Sequence, residues 1–109
     1  DMVWIDLVKN YLADFCTKNL ENLEKVYDNE VQLRDWEITA KGKENVISAN
    51  KELFSNFETI KIHILNTSYR DKLVFVEFIL ELDDTVLNVV DVININDNGK
   101  IKSIKAYKG

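Results

Sequence analysis

Thr85-Val86-Leu87-Asn88-Val89-Val90-Asp91-Val92-Ile93-Asn94-Ile95, followed by Asn96-Asp97-Asn98-Gly99, is the stretch whose reading decides the fold. Its β-branched content and its asparagine- and glycine-rich end predict a long strand, a tight turn with positive φ, and a returning strand through Ile101, Ile104, Ala106 and Tyr107. Side chains alternate faces along a strand, so Leu87, Val89, Asp91, Ile93 and Ile95 share one face. Asp91 is the exception on that apolar face. A carboxylate there is costly unless it is paired, hydrogen-bonded or protonated. Desolvation beside Val89 and Ile93 is expected to raise its pKa and to keep it protonated at neutral pH.

Working backwards, Leu73–Leu82 is a strand apolar on both faces, with Glu77 interrupting the Leu73, Phe75 and Ile79 side, and Asp83-Asp84 turns it into the deciding stretch. Ile60, Ile62 and Ile64 begin a strand that runs to about Tyr69, and Arg70-Asp71 fits a hairpin turn. A helix over roughly 44–57 follows Gly42, with the stripe Val46, Ile47, Asn50, Leu53, Phe54 and Phe57. Val31, Leu33 and Asp35 share one strand face, and Gln32, Arg34 and Trp36 the other. The chain opens with an amphipathic helix over 3–16, striped by Trp4, Leu7, Val8, Tyr11, Leu12 and Phe15. Asn19 caps a short second helix carrying Leu20, Leu23, Val26 and Tyr27. The order α-α-β-α-β-β-β-β defines an α+β class in which a curved antiparallel sheet wraps the helices around a pocket.

The 109 residues make one domain, 1–109, with 46% hydrophobic residues and no apolar run of membrane-spanning length. A net charge of −5 argues against a general nucleic-acid or anionic-membrane binder. A single cysteine, Cys16, excludes an intramolecular disulfide and a cysteine-rich metal centre, and it is expected to pack in the core. The one histidine, His63, lies on the Lys61 and Leu65 face and is expected at the surface or an interface. No metal site and no cofactor are expected, and a cytoplasmic location is the default.

Tyr11, Asp35, Asn50 and Asp91 lie on different elements, each on the face that otherwise points inward. Each alone has a structural explanation, such as a core-edge tyrosine or an aspartate capping nearby backbone. Together, two inward carboxylates and two further polar groups in one small core point to a small-molecule site. Phe15, Trp36, Phe54 and Val89, with Asn50, are the candidate substrate-binding residues.

The element order, the phrase Val26-Tyr27-Asp28 with Gly42, and the ending Asp91…Gly99-Lys100-Ile101 resemble the nuclear transport factor 2-like superfamily. Within it the chain is most similar to the SnoaL-like and ketosteroid isomerase-like groups. The resemblance implies a cystatin-like cone, with three N-terminal helices packed in the concavity of the sheet. It also implies catalytic roles: Asp35 as base, with Tyr11 and a protonated Asp91 as the oxyanion hole, a pairing for which ketosteroid isomerase is an established example. Trp36 stands where that family commonly has proline after its base, and the chain contains no proline.

The leading expectation is therefore a cofactor-independent isomerase or cyclase acting on a hydrophobic carbonyl compound through an enolate. The alternatives are a non-catalytic ligand-binding or dimerisation module, or an interaction domain using its outer sheet face. The expected partners are a hydrophobic small molecule and a second copy of the chain, held through that outer face, since the Leu73–Leu82 strand offers an apolar surface on both sides.

Overall fold

The computed structural model describes residues 2–109. Its elements are α1 (Val3–Cys16), α2 (Leu20–Val26), β1 (Tyr27–Arg34), β2 (Thr39–Lys41), α3 (Lys43–Asn56), β3 (Ile60–Arg70), β4 (Leu73–Leu82), β5 (Thr85–Ile95) and β6 (Ile101–Lys108). The α+β class and the order of helices and strands are those expected from the sequence, with the short β2 added. The strands form one open six-stranded sheet in the order β2-β1-β6-β5-β4-β3.

The sheet is mixed. β3 through β6 form an antiparallel meander, but β1 runs parallel to β6 and pairs Leu33 with Ile104. Helix α3 carries the chain from β2 across to β3 at the opposite edge, so β1 pairs with β2 on one side and with the last strand, β6, on the other. Register shifts fall between Tyr27 and Gln32 in β1, Ile64 and Asn66 in β3, and Asn94 and Ile95 in β5. Such bulges bend and twist a strand, which gives the sheet a concave face for the helices.

Alternation is kept along β4 and β5. Val74, Val76, Phe78, Leu80 and Leu82 are buried, as are Val89, Asp91, Ile93 and Ile95. They pack under Ile5, Val8 and Leu12 of α1, Leu23 of α2 and Val46 of α3. Cys16 is partly buried against this core. At the other face, Glu77 accepts a 2.7 Å hydrogen bond from Asn66 Nδ2. The β3–β4 turn consists of Asp71 and Lys72, one residue later than expected, with Asp71 taking a φ of 54°.

Caps position the helices. Asn19 accepts from the Asn22 N–H at 3.1 Å and so starts α2. Gly42 starts α3 at a φ of 86°, a conformation open to glycine. In the β5–β6 turn, Gly99 supplies a φ of 73°, and Asn96 Oδ1 accepts from the N–H groups of Asn98 and Lys100. His63 is exposed beside Glu81 on the outer face. No described helix is long and apolar enough to cross a membrane.

Candidate active site

Helices and concave sheet enclose a cavity of about 380 Å³. Tyr11, Asp35, Asn50 and Asp91 all line it, together with Phe15, Trp36 and Val89. Four elements or their ends thus deliver four polar side chains to one apolar space, as their positions in the sequence pattern suggested. Phe54 is the exception among the candidates. It is buried behind Phe15, their rings edge-on at 5.1 Å and 74°, and Leu53 and Phe57 take its place in the wall. A helical residue points about 100° from its neighbour, so a small rotation of α3 decides which member of an aromatic stripe faces the space.

Asp91 is 6% exposed, in the middle of the sheet between Val76 of β4 and Ala106 of β6. Neither neighbour offers a side-chain donor, and no hydrogen bond reaches its carboxyl group among the described residues. Burial, followed by the negative charge of Asp35, pushes its pKa up to about 7. Near neutral pH it is therefore divided between carboxylic acid and carboxylate: the rise is the one expected from its apolar strand neighbours, but it falls short of the full protonation expected at neutral pH.

Asp35 follows the last residue of β1. Its Oδ1 accepts from the N–H groups of Glu37 at 2.7 Å and Ile38 at 2.8 Å, and its own N–H donates to the Ile38 carbonyl at 3.0 Å. This Asx-type turn ends the strand and anchors the carboxylate through one oxygen. The turn also breaks the alternation, which is how Trp36 reaches the cavity wall while remaining 37% exposed. The Lys108 ammonium lies 5.6 Å from the centre of the Trp36 ring, a cation–π contact.

Tyr11 is buried on α1, its ring tilted 53° to Phe15 and 59° to Tyr27. Burial raises its pKa well above the ordinary tyrosine value, and the charges of Tyr27 and Asp91 add to the rise. It stays a neutral hydroxyl able to donate. Tyr27 belongs to the same network, although the sequence pattern places it in the second-helix stripe. It caps α2, opens β1 and is 1% exposed. Its hydroxyl donates to Asn50 Oδ1 at 2.7 Å and accepts from the Tyr11 hydroxyl. The signal that finds it is a matter of completeness: a buried tyrosine hydroxyl and a buried asparagine amide each need a partner.

Among the described residues no group of three or more His, Cys, Asp or Glu gathers to hold a metal ion. The polar groups present are a carboxylate, a titrating carboxylic acid and a neutral phenol. They can move a proton and hydrogen-bond a developing negative charge.

The fold is that of the nuclear transport factor 2-like superfamily, which includes the SnoaL-like proteins. A protein assigned to the SnoaL-like polyketide cyclases from Shewanella denitrificans superposes with a TM-score of 0.88 at 12% identity, over 100% of this chain and 92% of that one. A nuclear transport factor 2-like protein of unknown function from Cytophaga hutchinsonii superposes with a TM-score of 0.86 at 13% identity, again over 100% and 92%. Nuclear transport factor 2 from Cryptosporidium parvum gives 0.84 at 21% identity, over 100% and 94%. At these identities the likeness is one of fold. No protein-family model and no curated protein matches the chain.

Proposed function

We propose that the protein is a cofactor-independent isomerase or cyclase of a hydrophobic carbonyl compound. The observation that carries this reading is the meeting of Tyr11, Asp35 and Asp91 in one cavity, where burial pushes the Asp91 pKa up to about 7. Asp35, as carboxylate, removes a proton from the carbon α to the carbonyl. The C–H electron pair forms the enolate double bond, and the carbonyl π pair moves onto oxygen. Tyr11 and the acid form of Asp91 hydrogen-bond that oxygen more strongly as its charge grows, which lowers the barrier. Returning the proton from Asp35 to another carbon of a conjugated enolate completes an isomerisation. Attack of the enolate carbon on a second carbonyl in the same molecule completes an aldol cyclisation, the new alkoxide taking a proton.

The apolar walls from Phe15, Leu53, Phe57 and Val89 fit a hydrophobic body, and about 380 Å³ lies within the usual range for a small-molecule site. Tyr27 and Asn50 lie behind Tyr11, whose hydroxyl exchanges its bond to Tyr27 for one to the substrate oxygen. The test is a crystal structure with 4-phenylbutan-2-one. A carbonyl oxygen on Tyr11 and Asp91 with an α-carbon facing Asp35 supports the reading, and a ketone bound elsewhere removes it.

The outer sheet face carries a second proposal, a homodimer. On that face Leu73, Phe75 and Ile79 of β4 lie beside Val90 and Val92 of β5, and Tyr107 of β6, opposite Val90, is 57% exposed. An apolar face of this extent is suited to burial against a second copy.

A further inference from the structure

We propose that the cavity selects its ligand by charge: it admits a carbonyl compound bearing a protonated amine at the mouth and rejects one bearing a carboxylate there. This deepens the reading above, since it specifies the far end of the molecule whose carbonyl lies on Tyr11 and Asp91. Four carboxyl groups line the cavity, those of Asp35, Glu37, Glu52 and Asp91, and no lysine, arginine or histidine does so. Glu37 and Glu52 are solvent-exposed and so mark the mouth, while Asp91 is 6% exposed and lies at the floor.

The acidic groups alone would make only a charged rim. What makes them part of a ligand site is Asp91, which is buried, faces the cavity and has no hydrogen-bond partner among the described residues. No described side-chain atom is both fully buried and unpartnered, so this carboxyl group opens onto the cavity, where a hydrogen-bonding ligand can reach it. As the acid it donates, and Tyr11 beside it can turn its donor from Tyr27 to the same point, so the floor calls for an acceptor such as a carbonyl oxygen. At the mouth the requirement is the opposite one. An ammonium group finds Glu37 and Glu52 there, and the ring of Trp36 in the same wall. A carboxylate finds like charges at that exposed mouth, and like-charge juxtaposition disfavours binding.

Two ammonium groups touch the wall residues without lining the cavity. Lys108 lies over the Trp36 ring, and Lys18 donates to the Phe57 carbonyl at 2.6 Å. They are the protein's available partners for an anion, and the experiment weighs them directly against the glutamates.

The experiment is isothermal titration calorimetry of the intact protein at pH 7 and low salt with three probes that share one body. These are 4-phenylbutan-2-one, its para-aminomethyl derivative and its para-carboxylate derivative. The aminomethyl ketone is expected to bind tightest. The carboxylate is expected to bind at least about tenfold more weakly than the parent ketone, the scale on which a charge pair acts in such a site. In the folded double variant Glu37→Gln/Glu52→Gln the spread among the three should shrink to within about threefold, since only the mouth charges change. A carboxylate probe that binds as tightly as the parent overturns the proposal, as does an unchanged spread in the double variant or failure of all three probes to bind at millimolar concentration. Exchange of the bound aminomethyl ketone's α-protons with deuterium separates the two readings. Tight, charge-selective binding without exchange leaves this inference standing and removes the enolate chemistry.

Discussion

Tyr27 and Asn50 share a 2.7 Å hydrogen bond inside the core, linking the first residue of β1 to the middle of α3. The bond satisfies two buried polar groups at once and holds Tyr27 against Tyr11, the donor assigned to the substrate oxygen. Tyr27→Phe keeps the ring but leaves the asparagine oxygen without its donor. A loss of about 1–3 kcal/mol of stability is expected from an orphaned buried acceptor, measured by denaturant unfolding. Adding Asn50→Leu should recover part of that loss, because both polar groups are then gone.

Asp91 makes stability depend on pH in a definite direction. Its folded pKa, about 7, lies above the ordinary 3.8, so between these values the folded state binds more protons than the unfolded one. The stability tied to this group is fully present below about pH 4, falls as pH rises, and is lost above about pH 7. The interval corresponds to about 4 kcal/mol at ~1.4 kcal/mol per pH unit. Asp91→Asn cannot titrate. Relative to the wild type, it should therefore gain stability between pH 4 and pH 8 by an amount approaching that figure. Urea unfolding of both proteins at the two pH values checks the sign.

Sedimentation equilibrium at micromolar concentration should give about twice the 12.7 kDa chain mass. Phe75→Glu, which puts a charge in the middle of the outer face, should return the protein to a monomer with its far-ultraviolet circular dichroism unchanged. A monomeric wild type would remove the dimer.

Much of the fold was legible because it is written in periodicity. The Trp4-to-Phe15 stripe marked α1, and alternation from Leu87 to Ile95 marked β5 with Asp91 on its inner face. The parallel pairing of β1 with β6 was not legible, since a strand's apolar face does not name its neighbour, and β2 is three residues with no apolar face of its own. Within the site, Tyr11, Asp35, Asn50 and Asp91 were found because each breaks an apolar pattern. Tyr27 conforms to one, since its ring completes a stripe and only its hydroxyl carries the signal. Phe54 was misplaced for the opposite reason, as periodicity puts it on the inner side of α3 without saying whether cavity or Phe15 lies in front of it.

Asp35, Tyr11 and Asp91 together form the central claim, and exchange of ketone α-protons tests it most directly. The measurement is deuterium incorporation from D₂O into 4-phenylbutan-2-one, followed by proton NMR with wild type, Asp35→Asn, Tyr11→Phe and Asp91→Asn. The wild type should accelerate exchange over buffer. Asp35→Asn should lose about 10²–10⁴-fold of that acceleration, the usual contribution of a positioned base. Tyr11→Phe should lose about 10²–10³-fold, the usual cost of one oxyanion donor, while Asp91→Asn, which keeps an N–H donor, should lose less. A wild type that does not accelerate exchange, or an Asp35→Asn variant that exchanges as fast as the wild type, would contradict the claim.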